Sequence, residues 1–112
     1  SMGAAINTDG ELYTWGSNTD GQLGLGDKVT RSEPTQVGSL TNWKYIEVTI
    51  IQMMAVKTDG TFWSWGSGHV NEGNPRNNST PESSPVQVGS RTDWLAPVRT
   101  TGSPMGAWNS AT

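Results

Sequence analysis

The stretch AINTDGELYTWGS at residues 5–17 decides the fold, because it returns as AVKTDGTFWSWGS at residues 55–67, 50 positions further on. Each copy reads as a strand, a tight turn and a second strand. The TDG triplet supplies the turn, since glycine adopts the positive φ that hairpin turns require. The segment after it alternates, with Phe62 predicted on one face and Trp63 and Trp65 on the other. The repeated stretch is therefore a β-hairpin.

A second block, PTQVGSLTNW at residues 34–43, returns as PVQVGSRTDW at residues 85–94, 51 positions further on. Its first four residues predict a short edge strand in each copy, because proline there removes no central ladder hydrogen bond. Residues 45–50 are rich in β-branched and apolar side chains and predict another strand. Polar loops are expected at residues 17–33 and 67–84. Each repeat thus predicts a small antiparallel meander.

Two collinear blocks in the same internal order indicate a tandem duplication. We predict one all-β domain over residues 1–112, a length that suits a single domain. Repeat 1 is placed at about residues 5–54 and repeat 2 at about residues 55–105, and a partial third repeat is placed at residues 94–112. The composition agrees, because 14 glycines and 6 tryptophans favour many turns and a few large buried anchors over helices.

The first copy continues past Trp15 and Gly16 with Asn18 and then GQLGLG at residues 21–26. This order of a DG turn, a WG pair, an asparagine and a GQLG run resembles the repeat of the RCC1 (regulator of chromosome condensation) family. The resemblance implies β-propeller blades, each a four-stranded antiparallel sheet. The second copy keeps its DG and WG pairs but has GHVNEGNP at residues 68–75, which leaves the geometry of that loop open.

The motif residues have a physical role in such blades. Trp15 and Trp65 are predicted to lie between adjacent blades and to bury about 150–250 Å² each. Leu23 and Leu25 are predicted to pack into the neighbouring blade. A pair of blades leaves sheet faces uncovered, and about three repeats are a usual minimum for stability. We therefore expect either a fragment of a larger propeller or a homo-trimer or homo-tetramer that closes a ring.

Charge and apolar patterning exclude several partners. The net charge is −3, and the 7 lysines and arginines are scattered singly, so no nucleic-acid interface is expected. No apolar run approaches the roughly 18 residues of a membrane span, and no signal-peptide pattern opens the chain. We therefore expect no membrane partner, and localisation stays open.

The sequence offers little for catalysis or cofactor binding. With 1 histidine, 0 cysteines and no paired carboxylates, we expect no enzyme, no cofactor and no metal site. The candidate binding residues are His69 and Asn71, in the divergent loop, and Trp108, which lacks an aromatic counterpart in the other copies.

The resemblance implies a protein–protein interaction platform. Guanine-nucleotide exchange, which some family members promote, is not carried over, because the loops it needs cannot be matched here. The alternative is a carbohydrate-binding, lectin-like propeller, in which an exposed tryptophan would stack on a sugar ring.

Overall fold

The computed structural model describes residues 2–49, 51–67 and 82–94. These residues form two antiparallel sheets, one with three strands in the order β1-β2-β3 and one with four in the order β4-β5-β6-β7. The predicted all-β architecture is confirmed. The strands are β1 (Met2–Ile6), β2 (Leu12–Gly16), β3 (Arg31–Gln36), β4 (Trp43–Val48), β5 (Gln52–Lys57), β6 (Phe62–Gly66) and β7 (Glu82–Gln87).

The two TDG turns have the same geometry. Gly10 and Gly60 have φ of 83° and 85°, a left-handed conformation that favours glycine. The amide of Gly10 donates to the carbonyl of Asn7 at 3.0 Å, and that of Gly60 donates to Lys57 at 2.9 Å. The hairpins β1-β2 and β5-β6 are therefore built alike, as the repeated stretch predicts.

Strand pairing places the second sheet's side chains on two distinct faces. Trp65 pairs with Met53 and Trp63 with Ala55, so all four lie on one face. Phe62 and its alternating neighbours lie on the other face, which confirms the predicted alternation. Among the described residues, each face of the second sheet carries its own buried cluster, and only one of the two clusters includes residues of the first sheet.

The face with Trp65 packs against the first sheet. The cluster there joins Leu12 and Leu23 of the first repeat to Met53 and Trp65 of the second, all 0% exposed. The opposite face holds a separate cluster in which the Phe62 and Trp94 rings lie 5.0 Å apart. The hydrophobic contact between the two sheets is therefore the core of this structure.

The β2–β3 loop is fixed by one buried side chain. Asn18 donates from Nδ2 to the carbonyls of Asp27 at 3.1 Å and Val29 at 2.9 Å, and its Oδ1 accepts from the amide of Leu23 at 3.0 Å. Thr14 Oγ1 donates to the Leu23 carbonyl at 2.8 Å. The asparagine of the motif thus closes the loop that carries GQLGLG over to the second sheet.

The strand limits differ from those predicted. β3 and β7 begin before Pro34 and Pro85, because extra residues in β3 and β7 shift the register so that Gly16 pairs with Arg31 and Gly66 with Glu82. β4 begins at Trp43, which pairs with Lys57 across another register shift. These irregularities add one residue to β4 and two each to β3 and β7, at polar or mixed positions where no hydrophobic pattern marks them.

The second sheet has the four strands expected of a blade, whereas the first shows three within the described ranges. There, β1 is an edge strand, although β5, its counterpart, is covered by β4. The repeat boundaries near residues 5–54, 55–105 and 94–112 stay predictions. In the described segments no helix is long and apolar enough to cross a bilayer.

Candidate functional site

The joint between the two sheets opens into a cleft of about 410 Å³. One wall of the cleft comes from the first repeat. The other comes from residues near the ends of β4, β5 and β6 and from Ser84 and Pro85 of β7. Most of the lining is apolar, and the main contributors are Leu25, Val37, Leu40, Trp43, Lys57 and Trp63. The buried cation Lys57 and the tryptophans Trp43 and Trp63 line this cleft together.

Lys57 lies between two indole rings in the cleft. Its Nζ is 3.9 Å from the ring centroid of Trp63 and 4.8 Å from that of Trp43. The residue is 7% exposed, and this burial lowers the pKa of its ammonium, an effect that the charge of Asp59 partly opposes. The indole faces attract the cation and offset part of its desolvation.

The two rings are held in place by packing and hydrogen bonds. Trp43 and Trp63 meet edge to face, with centroids 6.4 Å apart and planes at 76°. Trp63 Nε1 donates to Thr61 Oγ1 at 2.7 Å, and Thr61 Oγ1 donates to Asp59 Oδ1 at 2.6 Å. These Thr61 bonds also lower the pKa of the Asp59 carboxyl. The turn that follows β5 therefore fixes the orientation of the Trp63 ring before any ligand binds.

The equivalent hairpin positions in the first repeat have different side chains. Asn7 stands where Lys57 does, and its Oδ1 accepts from the amides of Asp9 at 3.0 Å and Glu11 at 2.9 Å. Tyr13 stands where Trp63 does, and its hydroxyl donates to Glu11 Oε1 at 3.2 Å. The aromatic and cationic pair is thus a property of the second repeat alone among the two described hairpins.

Sequence reasoning missed Lys57 and Trp63 as site residues. The signal that could have found them is the departure between the aligned copies, where asparagine becomes lysine and tyrosine becomes tryptophan. Lys57 and Trp63 contact Trp43 because β4 pairs with β5 across a register shift next to Trp43. That pairing is a tertiary feature with no local pattern.

The predicted binding residues His69, Asn71 and Trp108 lie outside the described residues, so they stay predictions. The predicted burial of Trp65 between blades is confirmed at 0% exposure, and so is that of Leu23. Trp15 is half-buried, and its position between two blades stays a prediction. Within the described ranges, the loop that covers Trp65 has no counterpart over Trp15.

Potential metal ligands do not cluster at the cleft. No group of three or more histidine, cysteine, aspartate or glutamate side chains is found in residues 2–49, 51–67 and 82–94. The charged group that the described cleft offers is the Lys57 ammonium, which suits electrostatic attraction of an anion.

Comparisons with known proteins agree with this architecture. Residues 9–52 match the family described as the regulator of chromosome condensation (RCC1) repeat. The human E3 ubiquitin-protein ligase HERC2 is 42% identical over 69 residues, which is 58% of this chain and 1% of HERC2. The crystal structure of human WBSCR16 superposes with a TM-score of 0.65 and 24% identity, covering 79% of this chain and 23% of WBSCR16.

A second structural neighbour is Prp20p from Saccharomyces cerevisiae, whose crystal structure was described together with its binding properties to Gsp1p and histones. It superposes with a TM-score of 0.60 and 17% identity, covering 83% of this chain and 24% of Prp20p. The chain therefore spans about a quarter of either solved neighbour and a far smaller part of HERC2.

The duplicated hairpins, the antiparallel sheets and these matches define a β-propeller repeat protein. Residues 9–52 of this chain form a repeat of the RCC1 type.

Proposed function

We propose that this chain is a non-enzymatic β-propeller module that binds a protein partner through the cleft between its two repeats. The observation that carries the proposal is the apolar cleft with Lys57 at its base. Protein interfaces favour such a buried apolar centre with few polar groups. The binding properties of Prp20p towards Gsp1p and histones add support from a neighbour of the same fold.

The lectin-like alternative is less well supported at this cleft. A tryptophan that stacks on a sugar needs a free ring face, and the Lys57 ammonium lies over the ring of Trp63 at 3.9 Å. Trp43 is 4% exposed, which leaves little of its ring for a ligand. The proposal for His69, Asn71 and Trp108 as a further binding surface, for protein or carbohydrate, stands apart from the cleft.

The test is selection of a phage-displayed random peptide library on the purified chain, run beside a glycan array. We expect enriched peptides whose binding is lost in Leu40→Asp, because Leu40 is 46% exposed at the cleft. The matched control is Val29→Asp, since Val29 is 57% exposed and does not line the cleft. Failure to enrich peptides, binding unaffected by Leu40→Asp, or a glycan array signal in place of peptide binding would contradict the proposal.

We also propose that another blade covers the open flank of the first sheet. β1 is unpaired at its outer edge within the described ranges, and Trp15 of the neighbouring β2 is half-buried on the sheet face that points away from the second sheet. An exposed strand edge and a partly exposed tryptophan favour association. A second copy of this chain or a further part of a longer polypeptide could supply that blade.

Light scattering during size-exclusion chromatography separates these two sources. Closure between copies predicts the mass of a homo-trimer or homo-tetramer, and Trp15→Asp should then dissociate it. A monodisperse monomer would contradict self-association and direct attention to a blade in a longer polypeptide.

A further inference from the structure

We infer that the cleft between the repeats takes an extended acidic segment of a partner protein, in which a carboxylate stands beside an apolar side chain. This inference rests on the proposed function and specifies the chemistry of the partner. The carboxylate would pair with Lys57, and the apolar side chain would lie against Leu25 and Leu40.

The charge on Lys57 is influenced by Asp59 but forms no ion pair with any of the described residues. Among the described residues, no carboxylate lies within salt-bridge distance of its ammonium, and none accepts a hydrogen bond from it. An ammonium has three N–H donors, and indole faces attract it without satisfying those donors. A cation that is 7% exposed and lines an open cleft is therefore suited to an anionic group from outside.

The size of the charge favours a carboxylate over a polyanion. Lys57 is the ionisable side chain in the described lining of the cleft, and the protein carries a net charge of −3. Phosphates and nucleic acids are held by several donors and by clustered positive charge. A single cation with apolar surroundings instead matches the single negative charge of an aspartate or glutamate side chain.

The rim of the cleft explains the apolar half of the segment. Leu40 is 46% exposed there, although the aligned residue of the second repeated block is Arg91. Leu25, which is partly buried, and Pro85 also line the cleft. Apolar side chains around a single cation favour a partner segment in which an acidic residue is next to an apolar residue. The carboxylate would pair with the cation while the apolar side chain is removed from water.

The experiment uses the peptides selected from the random library on the full chain. We expect aspartate or glutamate next to an apolar residue to be enriched. Replacing that acid with its amide in a selected peptide should weaken binding at least about tenfold by isothermal titration calorimetry. This comparison needs no protein variant, so it does not depend on whether a mutant folds.

Variants of the chain then locate the effect. Lys57→Met should abolish the preference for the acid over the amide, and Lys57→Arg should retain it. Lys44→Met is the matched control, because Lys44 is an exposed lysine whose Nζ lies 5.7 Å from the Tyr45 ring centroid. Thermal unfolding of each variant confirms that it is folded.

The outcomes separate the two levels of the proposal. Peptides that need Leu40 but show no acid preference, or an acid preference that survives Lys57→Met, would overturn this inference and leave the proposed function standing. A library that yields no peptide would overturn both. Loss of acid preference in Lys57→Met, with Lys44→Met unchanged, would support the inference.

Discussion

Gly24 of the first repeat lies directly against the indole of Trp65 in the second, so that a Cβ atom at Gly24 would come within 2.7 Å of Trp65 Nε1. The φ of Gly24 is +74°, so this position favours glycine for conformational reasons as well. The same loop is joined to β7 by the amide of Gly26, which donates to the carbonyl of Ser83 at 2.7 Å. The GQLGLG run is thus the cover that buries the tryptophan of the next repeat.

Replacement of the two WG tryptophans should therefore have unequal effects. Trp65→Ala removes a fully buried ring and should lower the free energy of unfolding by about 3–5 kcal/mol. Trp15→Ala removes a half-buried ring and should lower it by less than half as much in the isolated chain. Equilibrium urea denaturation of both variants measures the difference. Equal losses would show that Trp15 is covered as well as Trp65 is.

The turn glycines offer a second contrast. At Gly60, φ is +85°, and a Cβ atom would overlap the carbonyl oxygen of Thr92. Gly38 has φ of +66°, but a Cβ atom there would meet nothing within 4 Å. Gly60→Ala should therefore destabilise the fold by more than about 2 kcal/mol, and Gly38→Ala by about 1 kcal/mol from backbone strain alone. Thermal and chemical unfolding of the two variants test this order, and a milder effect at Gly60 would refute the overlap.

Much of the fold follows from local signals in the sequence. The positive φ at Gly10 and Gly60 and the alternation from Phe62 to Trp65 are short-range properties, and they are visible in the repeated stretch. The burial of Trp65 could be predicted because a large aromatic residue in a repeated strand needs a cover. These features depend on chain geometry and hydrophobicity, which residue type records directly.

The candidate site could not be predicted in the same way. Lys57 comes before a turn and reads as an ordinary solvated residue, and its burial arises only when β4 pairs with β5 and Trp43 is brought beside Trp63. The strand starts were wrong for a related reason, since register shifts place Arg31 and Glu82 in the ladder without a hydrophobic pattern. Tertiary packing decides both.

Asn18 should contribute more to stability than the exposed Asn7, although both close loops. Asn18→Ala would leave the buried amide of Leu23 without its acceptor and should cost about 2–3 kcal/mol. Asn7→Ala removes hydrogen bonds that water can replace and should cost about 1 kcal/mol or less. Hydrogen exchange should also show faster exchange of the Leu23 amide in Asn18→Ala. Equal unfolding energies, or an unchanged Leu23 amide, would contradict the role of Asn18 in the loop.

The burial of Lys57 predicts a distinct dependence of stability on pH. Its pKa in the folded protein lies below the ordinary value of 10.5, so the folded state binds fewer protons than the unfolded state between those two pKa values. Stability therefore rises with pH through that window, because the desolvation of the charged form is relieved as the proton leaves. Below the folded pKa the unfavourable contribution is fully present.

This dependence is measured as the difference in unfolding free energy between the unmodified chain and Lys57→Met, from neutral pH to about 10. The unmodified chain should gain stability relative to Lys57→Met as the pH rises. Tyr13, whose pKa is raised by desolvation and by the neighbouring Glu11, is common to both chains, so its titration cancels in the difference. Lys44→Met serves as the control, because it removes an exposed lysine and should give a flat difference over the same range. A flat or falling difference for Lys57→Met would mean that the indole faces fully compensate the buried charge.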